Sequence, residues 1–176
     1  LRDNPTKADL ILITHEHYDH SSPEDVAALQ QDHTDIVCPP ETARKLSGKV
    51  NAVEPGDRLN LQGIEIEVVP AYNTDKDFHP RENRWNGYII TIEGTRIYHA
   101  GDTDFIPEMK SIDCDIALLP VSGTYVMTAE EAVKAAEAIN PKLAVPMHWG
   151  DIVGGEKDAR YFKENAPCEV RILSQE

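Results

Sequence analysis

The chain has 176 residues, 40% hydrophobic and 27% charged, a balance that suits a globular core and excludes a disordered chain. Its 17 basic and 31 acidic residues give a formal net charge of -14, which argues against a general nucleic-acid or anionic-membrane binder. No apolar run reaches the ~18 residues of a membrane span, no signal peptide is visible, and Cys38, Cys114 and Cys168 form no CxxC pair, so free buried thiols in a reducing cytoplasm are expected.

In chain order, residues 9–14 are a short apolar run that predicts a strand packed on both faces and ending at His15. Ser22-Pro23-Glu24-Asp25 predicts a helix to about residue 31, with Ser22 as N-cap, Pro23 in the first turn and acids at the positive end of the dipole. A strand over 35–38 and a short helix over 41–46, closed by Gly48, follow. The period then becomes two. Strands are predicted over 58–62, 64–70, 87–93 and 95–99, with hairpin turns at Gly63 and Glu93-Gly94. Residues 115–120 read as a strand, and 128–139 as a helix opened by a Thr128/Glu131 capping box. A strand over 142–147, a helix over 156–165 and a strand over 169–173 complete the chain. The long irregular stretch 73–86 is of a length usually functional. The alternation predicts one α/β domain over 1–176 with a mixed, layered sheet.

The densest chemical signal is His15-Glu16-His17-Tyr18-Asp19-His20, between a strand end and a helix start. His15 and His17, two apart in an extended segment, point the same way and suit one metal ion, while Asp19 and His20 sit at the turn near a second. Imidazole and carboxylate suit Zn2+, and also Mn2+ or Fe. Asp102, exposed by the turn at Gly101, offers two oxygens to two cations, and His148 in Pro146-Met147-His148-Trp149 again follows an apolar strand. His99 reads as a packed hairpin histidine, outside any ligand set.

The six-residue motif, with Asp102 in His-Ala-Gly-Asp-Thr and His148 in Pro-Met-His-Trp-Gly, resembles the H-x-H-x-D-H signature and later ligand motifs of the metallo-β-lactamase superfamily. The likeness extends from about residue 9 to 172 and is narrowest to its stand-alone hydrolases, including ascorbate-lactonase-like proteins. It implies an α/β fold with mixed sheets, a four-layer αββα sandwich, carrying two metal ions at one edge. It also implies that His15 and His17 hold the first ion, that Asp19, His20 and His148 hold the second, and that Asp102 bridges. The first ion usually takes a further histidine just after the strand that here ends at Pro70, where this chain has Asn73. His79 is expected to supply that imidazole, with Asn73 itself or a water as alternatives. Relatives also begin with two or more strands ahead of the motif, whereas only about eight residues stand there in this sequence. A partial copy, or otherwise poor stability or homo-oligomerisation, is expected.

The implied chemistry is two-metal hydrolysis of a small-molecule ester, lactone or phosphodiester, with Asp19 as the catalytic carboxylate that orients and deprotonates a shared water whose pKa falls toward ~7. A nuclease of the same superfamily and a non-catalytic metal-dependent binding protein are the alternatives. One of Lys76, Arg81 and Arg84 is a candidate contact for an anionic substrate. Ser122, Thr124 and Tyr125 are candidates for the pocket wall, with Trp85 and Trp149 as walls or core.

Overall fold

The computed structural model describes residues 5–150 and 152–173. Strands β1 (Leu10–Leu12), β2 (Asp35–Cys38) and β3 (Lys49–Ala52) form a three-stranded parallel sheet in that order. Strands β4 (Arg58–Leu61), β5 (Ile64–Pro70), β6 (Asn86–Ile92), β7 (Thr95–His99), β8 (Ile116–Pro120), β9 (Leu143–Met147) and β10 (Glu169–Val170) form a seven-stranded sheet in the order 10-9-8-7-6-5-4. The pairs from β4 to β7 are antiparallel and those from β7 to β10 parallel, so β5, β7, β8 and β9 all end at the same edge. The helices are α1 (Tyr18–Ser21), α2 (Pro23–Leu29), α3 (Pro40–Ala43), α4 (Ala129–Ile139) and α5 (Glu156–Asn165).

Three buried clusters separate four layers, and the two-residue strand period assigns the side chains among them. Between the sheets lie Val37, Ile66, Val68 and Tyr88, joined by Leu10, Leu12, Leu59 and Ile90. The intervening residues Ile11, Ile13, Ile36 and Cys38 face the other way, toward Val26 of α2 and Ala43 of α3. On the outer face of the large sheet, Tyr98, Ala117, Leu119 and Ala144 pack against Ala132, Ala136 and Ile139 of α4 and Phe162 of α5. This is the αββα sandwich expected from the motifs.

Local chemistry sets the helix ends. Ser22 Oγ accepts from Asp25 N at 3.2 Å, and Thr128 and Glu131 form the reciprocal capping box. One strand and one α-helix escaped the sequence, as did the 3-10 turns Arg81–Asn83 and Pro107–Ser111. β3 pairs at an edge with only part of its side chains covered, and α1 is a single turn held by Ser21 Oγ donating to the His17 carbonyl. The predicted terminal strand over 169–173 pairs only at Glu169–Val170.

β1 lies at the sheet edge and is half-buried rather than enclosed. Opposite, the register aligns Ile90, Ile97, Ile116 and Leu143 across the inner face of the large sheet, and the last three remain only partly covered by the shorter sheet. The three cysteines are free. Cys38 is buried, while Cys114 and Cys168 are half-buried, a partial correction to the expectation. Burial pushes the Cys38 and Cys114 thiols up to about 12, so neither is a reactive thiolate near neutrality.

Candidate metal centre

Five chain segments meet where the strands end. β1 leads to His15, His17, Asp19 and His20. β5 leads into the loop bearing Asn73 and His79, β7 to Asp102, β8 to Ser122 and Tyr125, and β9 to His148. Ligand-type side chains thus arrive from both sheets. Two buried contacts pin the junction: Tyr88 Oη of β6 donates to the Ile13 carbonyl at 2.6 Å, and Asn86 N donates to the Thr14 carbonyl at 2.9 Å. Gly101 makes the turn after β7 with φ +70°, and a Cβ there would stand 2.8 Å from the Asn86 carbonyl oxygen, so only glycine fits and Asp102 is turned toward the cluster.

Asp102 Oδ2 is the hub. It lies 3.0 Å from His148 Nε2, 3.4 Å from His79 Nε2, 3.5 Å from His20 Nε2 and 3.9 Å from His15 Nε2. His17 joins through its Nδ1, 3.1 Å from His15 Nε2. Asp19 is 60% exposed and reaches His20 Nε2 at 3.5 Å. Two ligand-spaced triads result, His15–His17–His79 and His15–His20–Asp102. All seven residues singled out in the sequence lie in one constellation. Asn73 does not: its side chain faces the protein.

Asn73 explains how His79 is held. Its Oδ1 accepts from His79 N at 2.9 Å and lies 3.1 Å from His79 Nδ1, and the Tyr125 carbonyl oxygen is 3.2 Å from the same ring nitrogen. Both neighbours of Nδ1 are acceptors, so Nδ1 carries a hydrogen, and in the neutral ring Nε2 presents a lone pair. That Nε2 is buried, makes no hydrogen bond, and faces a carboxylate oxygen. A neutral imidazole nitrogen and a carboxylate oxygen facing each other in a buried space are what a cation satisfies, so the donor set fits a metal ion.

Behind Asn73 stands Asp104, fully buried, which accepts from Asn73 Nδ2 at 3.1 Å, Thr74 N at 2.7 Å and Lys76 Nζ at 2.7 Å. Burial opposes the charge on Lys76, but Asp104 and Asp75 hold its pKa above the ordinary lysine value. Sequence reasoning missed Asp104. Its signal was the second acid of Asp102-Thr103-Asp104. Thr14 Oγ1 lies 2.8 Å from His15 Nδ1, and Ser122 Oγ lies 2.9 Å from His148 Nδ1, so these rings too are held from behind. His148 itself has φ +57°, a left-handed backbone uncommon for histidine.

Burial first, then the neighbouring His20, lowers the His15 pKa to about 2, which keeps that ring neutral as a ligand requires. Burial and His79 lower His17 in the same direction. Burial alone would raise Asp102, but the surrounding imidazoles, His148 foremost, hold it well below the ordinary carboxylate range. Burial likewise opposes charge on His148, yet Asp102 raises its pKa on balance.

The loop cations point elsewhere. Lys76 serves Asp104, Arg81 pairs with Glu108 at 3.1 Å and Arg84 pairs with Glu54 at 3.1 Å. Arg81 and Arg84 line a different cleft, with Tyr72, Trp85 and Glu108. Trp85 packs behind the cluster, 5.0 Å from the His15 ring and 4.9 Å from the His17 ring, with Nε1 donating to Glu41 at 2.8 Å. Trp149 and Tyr125, by contrast, line the cleft in front.

A four-layer αββα sandwich whose strand ends gather imidazoles around a shared carboxylate defines a metallohydrolase-type fold. Residues 1–149 match the model of the β-lactamase superfamily domain. A metal-dependent hydrolase of the UPF0173 family from Archaeoglobus fulgidus is 32% identical over 176 residues, covering 93% of this chain and 76% of that protein. The crystal structure of a protein assigned as a metal-dependent hydrolase from Parabacteroides distasonis superposes with TM-score 0.86 at 42% identity, covering 97% of this chain and 78% of that one. The metallo-β-lactamase fold protein YhfI of Bacillus subtilis shares the fold, with TM-score 0.70 at 15% identity over 94% of this chain and 75% of that one. The chain belongs to the metallo-β-lactamase superfamily and, within it, to this family of metal-dependent hydrolases. Among the described residues no helix is long and apolar enough to cross a membrane.

Proposed function

We propose that the protein hydrolyses a small-molecule ester, lactone or phosphodiester at a dinuclear centre, in a reducing cytoplasm. His15, His17 and His79 would hold one ion, Asp19, His20 and His148 the other, with Asp102 shared. The donor set of imidazole and carboxylate suits Zn2+ first and Mn2+ or Fe as well. When bound, such a pair of dications lowers the pKa of a shared water toward ~7 and polarises the substrate oxygen.

The chain's own residues supply the rest. Asp102 brings negative charge to the middle of the imidazoles and so offsets the ions' charge. Asp19, exposed on the cleft and beside His20, is placed to orient the attacking water and take its proton on a carboxylate oxygen. Asn73, Thr14 and Ser122 hold ring nitrogens of His79, His15 and His148, so the side chains need little reorganisation.

The observation that carries this reading is the buried Nε2 of His79, without a hydrogen bond, facing Asp102 Oδ2 at 3.4 Å within a ring of further imidazoles. The test is elemental analysis of protein purified without added metal, together with ester, lactone and phosphodiester hydrolysis before and after chelation. About two ions per chain and chelator-sensitive turnover are expected. A native preparation that binds no ion tightly would overturn the assignment.

A further inference from the structure

The cleft in front of the cluster has two lobes, of about 260 and 390 Å3, which share Asp19, His20, Tyr125, His148 and Ile152. Away from the cluster their walls are apolar, from Phe78, Tyr125, Trp149, Ile152 and Val153. The Phe78 and Tyr125 rings meet edge to face with centroids 4.6 Å apart. Phe78 is 49% and Ile152 78% exposed, two large apolar side chains held in water at the mouth of a polar site. Contiguous exposed apolar surface beside a reactive centre is the mark of a ligand that covers it.

Charge points the same way. Neither lobe is lined by a lysine or arginine among the described residues. The three cations of the neighbouring loop are each engaged by a carboxylate. Asp19 stands on the cleft, and the chain carries -14 overall. An anionic group outside the reacting bond would find no counter-charge from the protein there, whereas an alkyl or aryl group finds a ready surface.

We propose, resting on the hydrolase reading above, that the substrate is an uncharged carboxylic ester or lactone whose alkyl or aryl arm lies on Phe78, Tyr125, Trp149 and Ile152. The reaction adds one water across the acyl C–O bond. The water oxygen bonds to the carbonyl carbon, the bond to the leaving oxygen breaks, that oxygen takes up one proton, and the acid product releases the other. No oxidant, reductant or second substrate is needed.

The experiment compares 4-nitrophenyl acetate, 4-nitrophenyl hexanoate and bis(4-nitrophenyl) phosphate on the metal-replete protein. Each methylene that reaches the apolar wall is worth about fourfold in kcat/KM. Hexanoate is therefore expected to exceed acetate by about tenfold or more, and the anionic phosphodiester to be the poorest of the three. Phe78→Ala and Ile152→Lys, both at exposed positions, are expected to reduce the hexanoate-to-acetate ratio about fivefold or more each. Equal kcat/KM for the two esters, or preference for the phosphodiester, with turnover still lost on chelation, would overturn this proposal and leave the hydrolase reading standing. A hexanoate preference that neither variant alters would overturn the assignment of this wall. No turnover of any of the three by protein shown to hold metal would overturn both.

Discussion

The two halves of the imidazole cluster are built differently. The half formed by His15, His17 and His79 is deep, backed by Trp85, with His79 steered by Asn73 and, through it, by the buried Asp104–Lys76 pair. The half formed by Asp19, His20 and His148 opens on the cleft, with Asp19 largely in water and His148 on a left-handed turn. The difference teaches a division of labour. Packing and hydrogen bonds from behind hold the rings of the deep half, and among the described residues Ser122 alone does so for His148 in the open half, where Asp19 and His20 stand on a cleft with room for water and a small molecule.

The largest effect is expected where the halves meet. Asp102→Ala removes the one oxygen common to four imidazoles, and should lower turnover about 10³-fold or more and reduce ion content at both positions, read by kinetics and elemental analysis. Loss at one position only would break the idea of a shared hub.

Next, His79→Ala should take the ion count from about two to about one per chain. Asn73→Ala should leave two ions but weaken the deep site about 10- to 100-fold, measured by competition with a chelator, because it frees the ring without deleting it. Identical affinities in the Asn73 variant and the parent would show that the deep half is not held from behind.

Acid should distinguish the halves in metal-free protein. His15 has a folded pKa depressed to about 2 against an ordinary 6.5, so its stabilising contribution is complete above pH 6.5 and is lost progressively as pH falls from there toward 2. His17 acts in the same direction. His148, with a raised pKa, contributes fully below 6.5 and loses its contribution as pH rises through its folded value. Thermal or urea unfolding between pH 7.5 and 5 should therefore show a loss of roughly 1.4 kcal/mol per pH unit below 6.5 from His15. A His15→Gln variant should show a flatter profile, and an unchanged slope would count against burial as its cause.

The smallest effect is expected at the loop cations. Arg81→Ala should change KM less than about twofold for neutral and anionic substrates alike, since Arg81 is spent on an exposed pair with Glu108 in another cleft. A selective rise in KM for anionic substrates would return this arginine to the substrate site.

The sequence showed most of this architecture where local and tertiary demands agree. Ile64–Pro70 alternates because Ile66 and Val68 meet the other sheet while Glu65 and Glu67 face outward, Glu67 pairing with Arg58 and Arg96, and Glu156–Asn165 buries Ala159 and Phe162 at helical spacing. β3 stayed hidden because Lys49-Val50-Asn51-Ala52 has little apolar character and gains its pairing from β2 alone. The strand-end residues were legible as metal-binding types because three histidines and an aspartate crowd into His15–His20, whereas His99, which also ends a strand, stands apart from that pattern. Asn73 and Asp104 were not, since their roles depend on the path of the loop that brings Lys76 and His79 beside them, a contact spanning 28 residues in the Lys76–Asp104 case.

The arrival of donor groups from both sheets has a mechanical consequence. His15, His17 and His20 follow the small sheet's first strand, while His79, Asp102 and His148 follow strands of the large one. Cations seated among them would act as rivets across the sandwich, joining two layers otherwise coupled by apolar packing and a few buried hydrogen bonds such as Tyr88 to Ile13. Occupancy of the centre and cohesion of the scaffold then become one quantity: a metal chelator would loosen the seam as well as silence the chemistry.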